Sequence, residues 1–217
     1  MMITATKLPA GSLYKTQQTP PQQPPTQPEP PAADPVADAY TRNTAYLGEL
    51  KGRAEAGEQN LGDTLRAESA ATKQAFKTSL GECKLPTSAE EARNLTLAAM
   101  QAGMMAGALD GAVLMAVNES LTAEQPSGIP SFDEMMEELG KIWEQAKAAL
   151  KELGVGALEQ MSAGGRSVSA QAYDNAEMFV GREDVPVQAF QAYLSGAFAA
   201  GYATSAIDGV LLFKAGQ

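Results

Sequence analysis

Three glycines at four-residue spacing constrain this chain more than any other feature of its sequence. They stand at positions 103, 107 and 111 of the stretch "GMMAGALDGAVL", inside an apolar run (97–117) that contains two polar side chains. Glycine is a poor helix former, so a helix with three glycines on one face must gain something there in return. Bare backbone lets a second helix approach closely, and the stretch therefore predicts a helix with one tightly packed face.

The last part of the chain repeats this pattern at an offset of 98 residues. The offset pairs the dipeptide Asp110-Gly111 with Asp208-Gly209, and it preserves a ladder of small residues. The predicted packing residues are Ala99, Gly103, Gly107 and Gly111 in the first copy, and Ala197, Gly201, Ser205 and Gly209 in the second. Two such faces pack well against each other, so we expect helices over 88–121 and 186–213 to form a central pair.

Composition and periodicity predict helices in the rest of the chain after residue 34. Aromatic residues make up only 6% of the sequence, and the β-branched and aromatic runs typical of sheets are absent from it. Segment 35–85 is polar and weakly amphipathic. Its glycines weaken the helical pattern, so the segment forms either one helix or two. Segment 131–153 has a continuous apolar stripe, and a shorter helix is expected over 168–179 after a glycine-rich turn. The expected fold is an all-α bundle of about five helices.

The N-terminal residues form a different kind of segment. Nine of the thirteen prolines lie within the first 35 residues, together with many glutamines. Such a composition cannot form a core, and it predicts a disordered Pro/Gln-rich arm over 1–34. The arm is either a spacer, an export signal or a ligand of a proline-recognition domain. The expected organisation is this arm, the helical segment 35–85 and a bundle core over 86–217.

Charge and residue usage exclude several chemistries. The formal net charge of −10 argues against nucleic-acid binding, which needs a basic surface. The chain has no histidine and a single cysteine, Cys83, so it cannot form a Ser-His-Asp triad, a Cys-His pair or a histidine-ligated zinc site. We expect no cofactor and no metal. Asp110 and Asp208 are the candidates for a buried polar pair, and a carboxylate pair of this kind is the one feature that suggests an enzyme.

Three classes of function remain. The first is a non-enzymatic structural or protein-interaction protein of a bacterial or phage assembly, or an exported type III-like factor. It would act by helix-mediated binding of protein partners or by self-association, using segment 36–80 or the methionines Met100, Met104 and Met105. A place in the core is the alternative for these three methionines. The second is a conditionally membrane-inserting protein, since 97–117 and 192–207 are apolar and carry small-residue ladders. The third is the Asp110/Asp208 enzyme. We expect synthesis in the cytoplasm without a secretory signal peptide.

Overall fold

The computed structural model describes residues 34–116 and 130–214, and these two ranges form an all-α bundle. Within them the chain forms six α-helices, one short 3-10 helix and no strand. The elements are α1 (Pro35–Glu55), α2 (Leu61–Glu82), α3 (Ala89–Ala116), α4 (Pro130–Leu153), α5 (Val155–Asn175), the 3-10 helix Ala176–Phe179 and α6 (Val187–Lys214). The prediction of an all-α bundle is confirmed. The predicted N-terminal arm lies outside the described residues.

The polar segment after the arm forms two helices because the backbone turns between α1 and α2. Gly57 and Asn60 both adopt positive φ, at 67° and 58°. A left-handed conformation at these positions ends one helix and redirects the chain into the next. The sequence left open whether segment 35–85 forms one helix or two, and the structure has two, α1 and α2.

The turn predicted before the shorter helix is helical instead. Helix α5 runs from Val155 through both Gly164 and Gly165 to Asn175. Gly165 lies directly against Thr204 of α6, where no larger residue would fit without a shift. Packing against α6 therefore outweighs the low helix propensity of the two glycines.

Helices α3 and α6 form the centre of the bundle and run parallel to each other. Gly103 lies against Phe198, and Gly111, two turns further along α3, lies against Ala206. Helices α2 and α5, which precede α3 and α6 in the chain, run antiparallel to this central pair. A short connection joins the end of α2 to the start of α3, and Lys73 in the middle of α2 pairs with Asp110 near the end of α3. Helix α2 therefore runs antiparallel to α3. On the other side, α5 packs along α6 in the same antiparallel manner.

The structure extends the repeat from one helix to three. The first residues of α1 and α4 are 35 and 130, those of α2 and α5 are 61 and 155, and those of α3 and α6 are 89 and 187. The offsets are thus 95, 94 and 98 residues, and the third helix has 28 residues in each copy. We call residues 34–116 the first half and 130–214 the second half.

Aromatic side chains hold α4 against the central pair. The rings of Phe76, Phe132 and Phe198 come from α2, α4 and α6, with centroids 4.5–6.2 Å apart. Further along α4, Met135 and Leu139 are also buried, as the apolar stripe of 131–153 predicts. The side chains of several other residues in that stripe lie outside the described ones. Aromatic contacts from three helices fix where α4 begins on the bundle.

Candidate functional site

The glycine faces of α3 and α6 meet at backbone distance, and we call this contact the seam. A methyl group placed on Gly103 or Gly107 would come within 3.0 Å of a carbonyl group of α6, at Phe198 or Tyr202. At Gly111 the nearest atom would be the Ala206 carbonyl oxygen, 2.8 Å away. These atoms belong to backbone and cannot rotate aside. The glycines of α3 are therefore required by the closeness of the two helices.

The second ladder is packed less uniformly. Gly201 is as tightly enclosed as the glycines of α3, against the Met100 carbonyl group. A methyl group on Gly209 would lie 3.4 Å from the Leu47 side chain, which is an ordinary contact. Ser205 is fully buried and uses its hydroxyl group in a hydrogen bond. The alanines Ala99 and Ala197 are buried at the start of each ladder.

Asp110 lies in the interior and is bound by two groups from other helices. Its Oδ2 is 2.8 Å from Lys73 Nζ of α2, and it accepts a hydrogen bond from the hydroxyl group of Tyr202 of α6. The Lys73 ammonium also lies 5.5 Å from the centre of the Tyr202 ring. Only 5% of the Asp110 side chain and 12% of the Lys73 side chain are exposed. A single carboxylate thus links α2, α3 and α6.

Asp208 occupies the equivalent position in α6 and has different partners. It accepts a hydrogen bond from Ser162 and pairs with Arg166 Nη2 at 2.7 Å, both from α5. The guanidinium of Arg166 lies 4.9 Å from the Tyr40 ring centre, and 45% of its side chain is exposed. The two aspartates were candidates for a pair with each other. The structure gives each of them separate partners instead.

Helix α1 adds two buried polar contacts to the second half. Asn43 donates from Nδ2 to Ser205 Oγ at 2.8 Å, and the same hydroxyl group donates back to Asn43 Oδ1 at 3.1 Å. The hydroxyl groups of Tyr40 and Ser169 lie 2.7 Å apart. Burial raises the pKa of Tyr40 above its ordinary value of 10.0. These contacts fix the position of α1 against α6 through Asn43 and against α5 through Tyr40.

The sequence contained a signal for some of these residues that periodicity analysis missed. In α2 the buried stripe runs through Leu65, Ser69, Phe76 and Leu80, and Lys73 falls within it. Asn43 likewise falls between Tyr40 and Leu47 on the buried face of α1. A lysine or asparagine at a position of the buried face indicates a polar partner on a neighbouring helix. Identifying that partner requires the tertiary structure.

The arrangement of charged groups is suited to holding helices together. In the described ranges no three histidine, cysteine, aspartate or glutamate side chains cluster closely enough to hold a metal ion. Burial raises the pKa of the Cys83 thiol, which keeps it in its less reactive protonated form. Asp110 and Asp208 accept hydrogen bonds from neighbouring side chains, which fix their orientation.

Helices α3 and α6 are also long and apolar enough to cross a membrane. Among the residues that the structure describes, the two candidate spans are Ala89–Met115 and Val187–Phe213, and most of the most apolar 18-residue stretch of each is buried in the bundle. The core helices of water-soluble proteins commonly meet the same criterion. In the structure the small-residue faces of these two helices pack against each other.

Comparison with family models, curated proteins and solved structures finds no match to this chain.

Proposed function

We propose that the protein is a non-enzymatic structural or protein-interaction component, either of a bacterial or phage assembly or among exported factors. It would act by presenting the outer faces of its helices to protein partners. The observation that carries this proposal is the seam. The most distinctive surfaces in the sequence, the glycine faces, are occupied by each other, so that α3 and α6 serve as a frame.

The buried ionisable groups support a structural role for the interior. Lys73, Asp110 and Tyr202 are bound to one another, and Asp208 is bound to Ser162 and Arg166. A general acid or base must reach a substrate atom within hydrogen-bond distance. All of these side chains except Arg166 are enclosed between helices, and all of them are bound to neighbours. They are therefore better placed to fix the packing than to meet a substrate.

The outer surface supplies apolar side chains for binding. Met105 of α3 and Val168 of α5 have about half of their surface exposed, as do Val155 and Met178. Of the three methionines expected to form an adaptable binding surface, Met100 and Met104 are buried against the seam, which leaves Met105. Methionine adapts to imperfectly matched partners, so Met105 is the best place to probe for binding.

Site-specific photo-crosslinking in the cells that produce the protein tests this proposal. A photoreactive residue replaces Met105 in one variant, Val168 in a second and the buried Met104 in a control. The proposal expects a defined protein adduct from at least one of the exposed positions and none from Met104. Exposed positions that give no adduct, in variants that fold normally, would contradict a role in protein binding.

Membrane insertion is the second candidate function, and the two apolar helices favour it. The parallel arrangement of α3 and α6 weighs against it. Two parallel spans require the connecting chain to cross the bilayer again, and that chain includes the charged helix α4. In the apolar run 97–117 Asp110 lies close to the centre, and a charged side chain at the centre of a span costs about 2.5–3.5 kcal/mol. A bundle in which α3 and α6 pack against each other therefore accounts for their apolar sequences at a lower free-energy cost than membrane insertion.

Flotation with neutral liposomes separates the two candidates. The full chain is mixed with vesicles at pH 7 and at pH 5, and a density gradient separates bound from free protein. We expect the protein to remain with the soluble fraction at both pH values. Flotation at either pH would favour the membrane candidate and would turn the search toward pores and translocation.

A further inference from the structure

The two halves of the molecule contact each other through equivalent surfaces. Gly103 of the first half packs against the carbonyl group of Phe198, and Gly201 of the second half packs against that of Met100. The offset of 98 residues converts each of these contacts into the other. A contact in which the same patch serves both sides is the arrangement found in two-fold symmetric dimers.

A second pair of contacts follows the same symmetry at the start of the central helices. Arg93 of α3 pairs with Glu177 of the second half at 3.1 Å. Gln191, which is 98 residues after Arg93, reaches across to the first half and donates a hydrogen bond to the Leu80 carbonyl oxygen at 2.9 Å. Gln191 thus contacts the last turn of α2, and Arg93 contacts the 3-10 helix that directly follows α5. The interface is symmetric over more than the glycine seam.

Buried polar contacts make the pairing specific for unlike halves. The hydroxyl group of Tyr202 bonds Asp110, and Ser205 bonds Asn43. The residues equivalent to Tyr202 and Ser205 in the first half are Met104 and Gly107, which lack hydroxyl groups. Two first halves placed together would leave Asp110 and Asn43 without these partners, at a cost in stability.

From these contacts we infer that a second copy of this chain fits the seam by exchange of halves. The first half of each copy pairs with the second half of the other, which gives a closed two-fold dimer with two seams. Every contact between unlike halves is retained, including the polar contacts of Asp110 and Asn43. The inference concerns the interior seam and does not depend on the proposed function of the outer surface.

Concentration decides which form is populated. Within one chain the two halves are joined by residues 117–129, so they meet at a high effective concentration and the monomer is favoured in dilute solution. Chains that fold at high concentration meet the unlike half of a neighbour more often. The exchanged dimer then persists on dilution, because its reversal requires both seams to open.

Complementation between two full-length variants tests the exchange. Gly107→Leu damages the first half and Gly201→Leu damages the second half. Neither variant can form an intact seam alone. When the two are refolded together, the undamaged first half of one chain and the undamaged second half of the other restore one seam. We expect a helical species of dimer mass, measured by circular dichroism and light scattering, that neither variant produces separately.

A matched control uses two variants damaged in the same half. A mixture of Gly103→Leu and Gly107→Leu contains no undamaged first half, so it should give no such species. If the Gly107→Leu and Gly201→Leu mixture equals the sum of its separate samples, or if the control mixture gains as much, exchange is overturned.

The unmodified protein provides an independent measurement if the leucine variants fold alone. Two copies that carry different affinity tags are refolded together over a range of concentrations. Exchange predicts co-purification that rises with concentration during refolding and survives dilution afterwards. Monomers at every concentration, or dimers that dissociate on dilution, would overturn the inference.

Discussion

Lys73 and Asp110 form an ion pair in the interior of the bundle, with Nζ 2.8 Å from Oδ2. The equivalent aspartate of the second half, Asp208, pairs with Arg166 at nearly the same distance, 2.7 Å. The surroundings of the two pairs differ, because 12% of the Lys73 side chain is exposed against 45% of the Arg166 side chain. Although the N–O distances of the two ion pairs are nearly equal, the pairs should therefore contribute differently to the free energy of unfolding.

Removal of the two cations should reveal that difference. Lys73→Met leaves the buried Asp110 carboxylate without its cation, which typically costs about 3–5 kcal/mol. Arg166→Met breaks a pair with a half-exposed member, and we expect a loss of about 1 kcal/mol or less from the charge. Urea unfolding measures both. A double variant, Lys73→Met with Asp110→Asn, should recover part of the first loss. Equal losses from the two single variants would contradict this interpretation.

Substitution of seam glycines should destabilise the fold, whereas substitution of exposed helical glycines should stabilise it. Gly107→Ala places a methyl group against the Tyr202 carbonyl group, and overpacking of this kind costs about 1–3 kcal/mol. Gly48 of α1 has no atom within 4 Å of such a methyl group, so Gly48→Ala should gain up to about 1 kcal/mol. Thermal melts of the two variants provide the comparison. An unchanged melt for Gly107→Ala would be inconsistent with the close seam.

Two adjacent glycines of α5 should respond in opposite directions. Gly164 faces open space, and Gly164→Ala should gain up to about 1 kcal/mol in free energy of unfolding. Gly165 lies against the Thr204 side chain, so Gly165→Ala should lose stability. Adding Thr204→Ala to Gly165→Ala removes the obstructing hydroxyl group and should restore part of the loss. Stabilisation by Gly165→Ala alone would show that the contact is loose.

The sequence was sufficient to predict the fold class and the central pair, because both depend on local patterns. Small residues at fixed spacing recur in α3 and α6. The start of α3 also carries a local signal, because Ser88 stands three residues before Glu91 and its Oγ accepts a hydrogen bond from the Glu91 backbone at 3.1 Å. The spacing of residues in the sequence indicates which of them share a face of a helix, so these features can be recognised without the tertiary structure.

The partners of the buried charges were not predictable in the same way. Lys73 and Asp110 are 37 residues apart, whereas Arg166 and Asp208 are 42 apart, so the repeat conserves the carboxylate and not the position of its cation. Which basic residue reaches each aspartate depends on how α2 and α5 lie along their neighbours. The glycine-rich turn predicted in α5 was wrong for a similar reason, since its helix is fixed by contact with α6.

Tyr193 should make the stability of the bundle depend on pH in the alkaline range. Its hydroxyl group donates a hydrogen bond to the Ala172 carbonyl oxygen near the end of α5, and burial raises its pKa from 10.0 to about 12. The folded protein therefore holds this proton more tightly than the unfolded chain. The resulting stability is fully present below pH 10 and is lost as the pH rises from 10 through about 12.

Comparison with Tyr193→Phe isolates this effect from the titration of other groups. The unmodified protein should be more stable than the variant at pH 8, and its advantage should shrink between pH 10 and 12, as measured by urea unfolding at each pH. The difference in tyrosinate absorbance between the two proteins gives the pKa of Tyr193 directly. A midpoint near the ordinary value of 10.0 would show that solvent reaches this hydroxyl group freely, and the hydrogen bond to Ala172 could then not account for the way α6 is fixed to the end of α5.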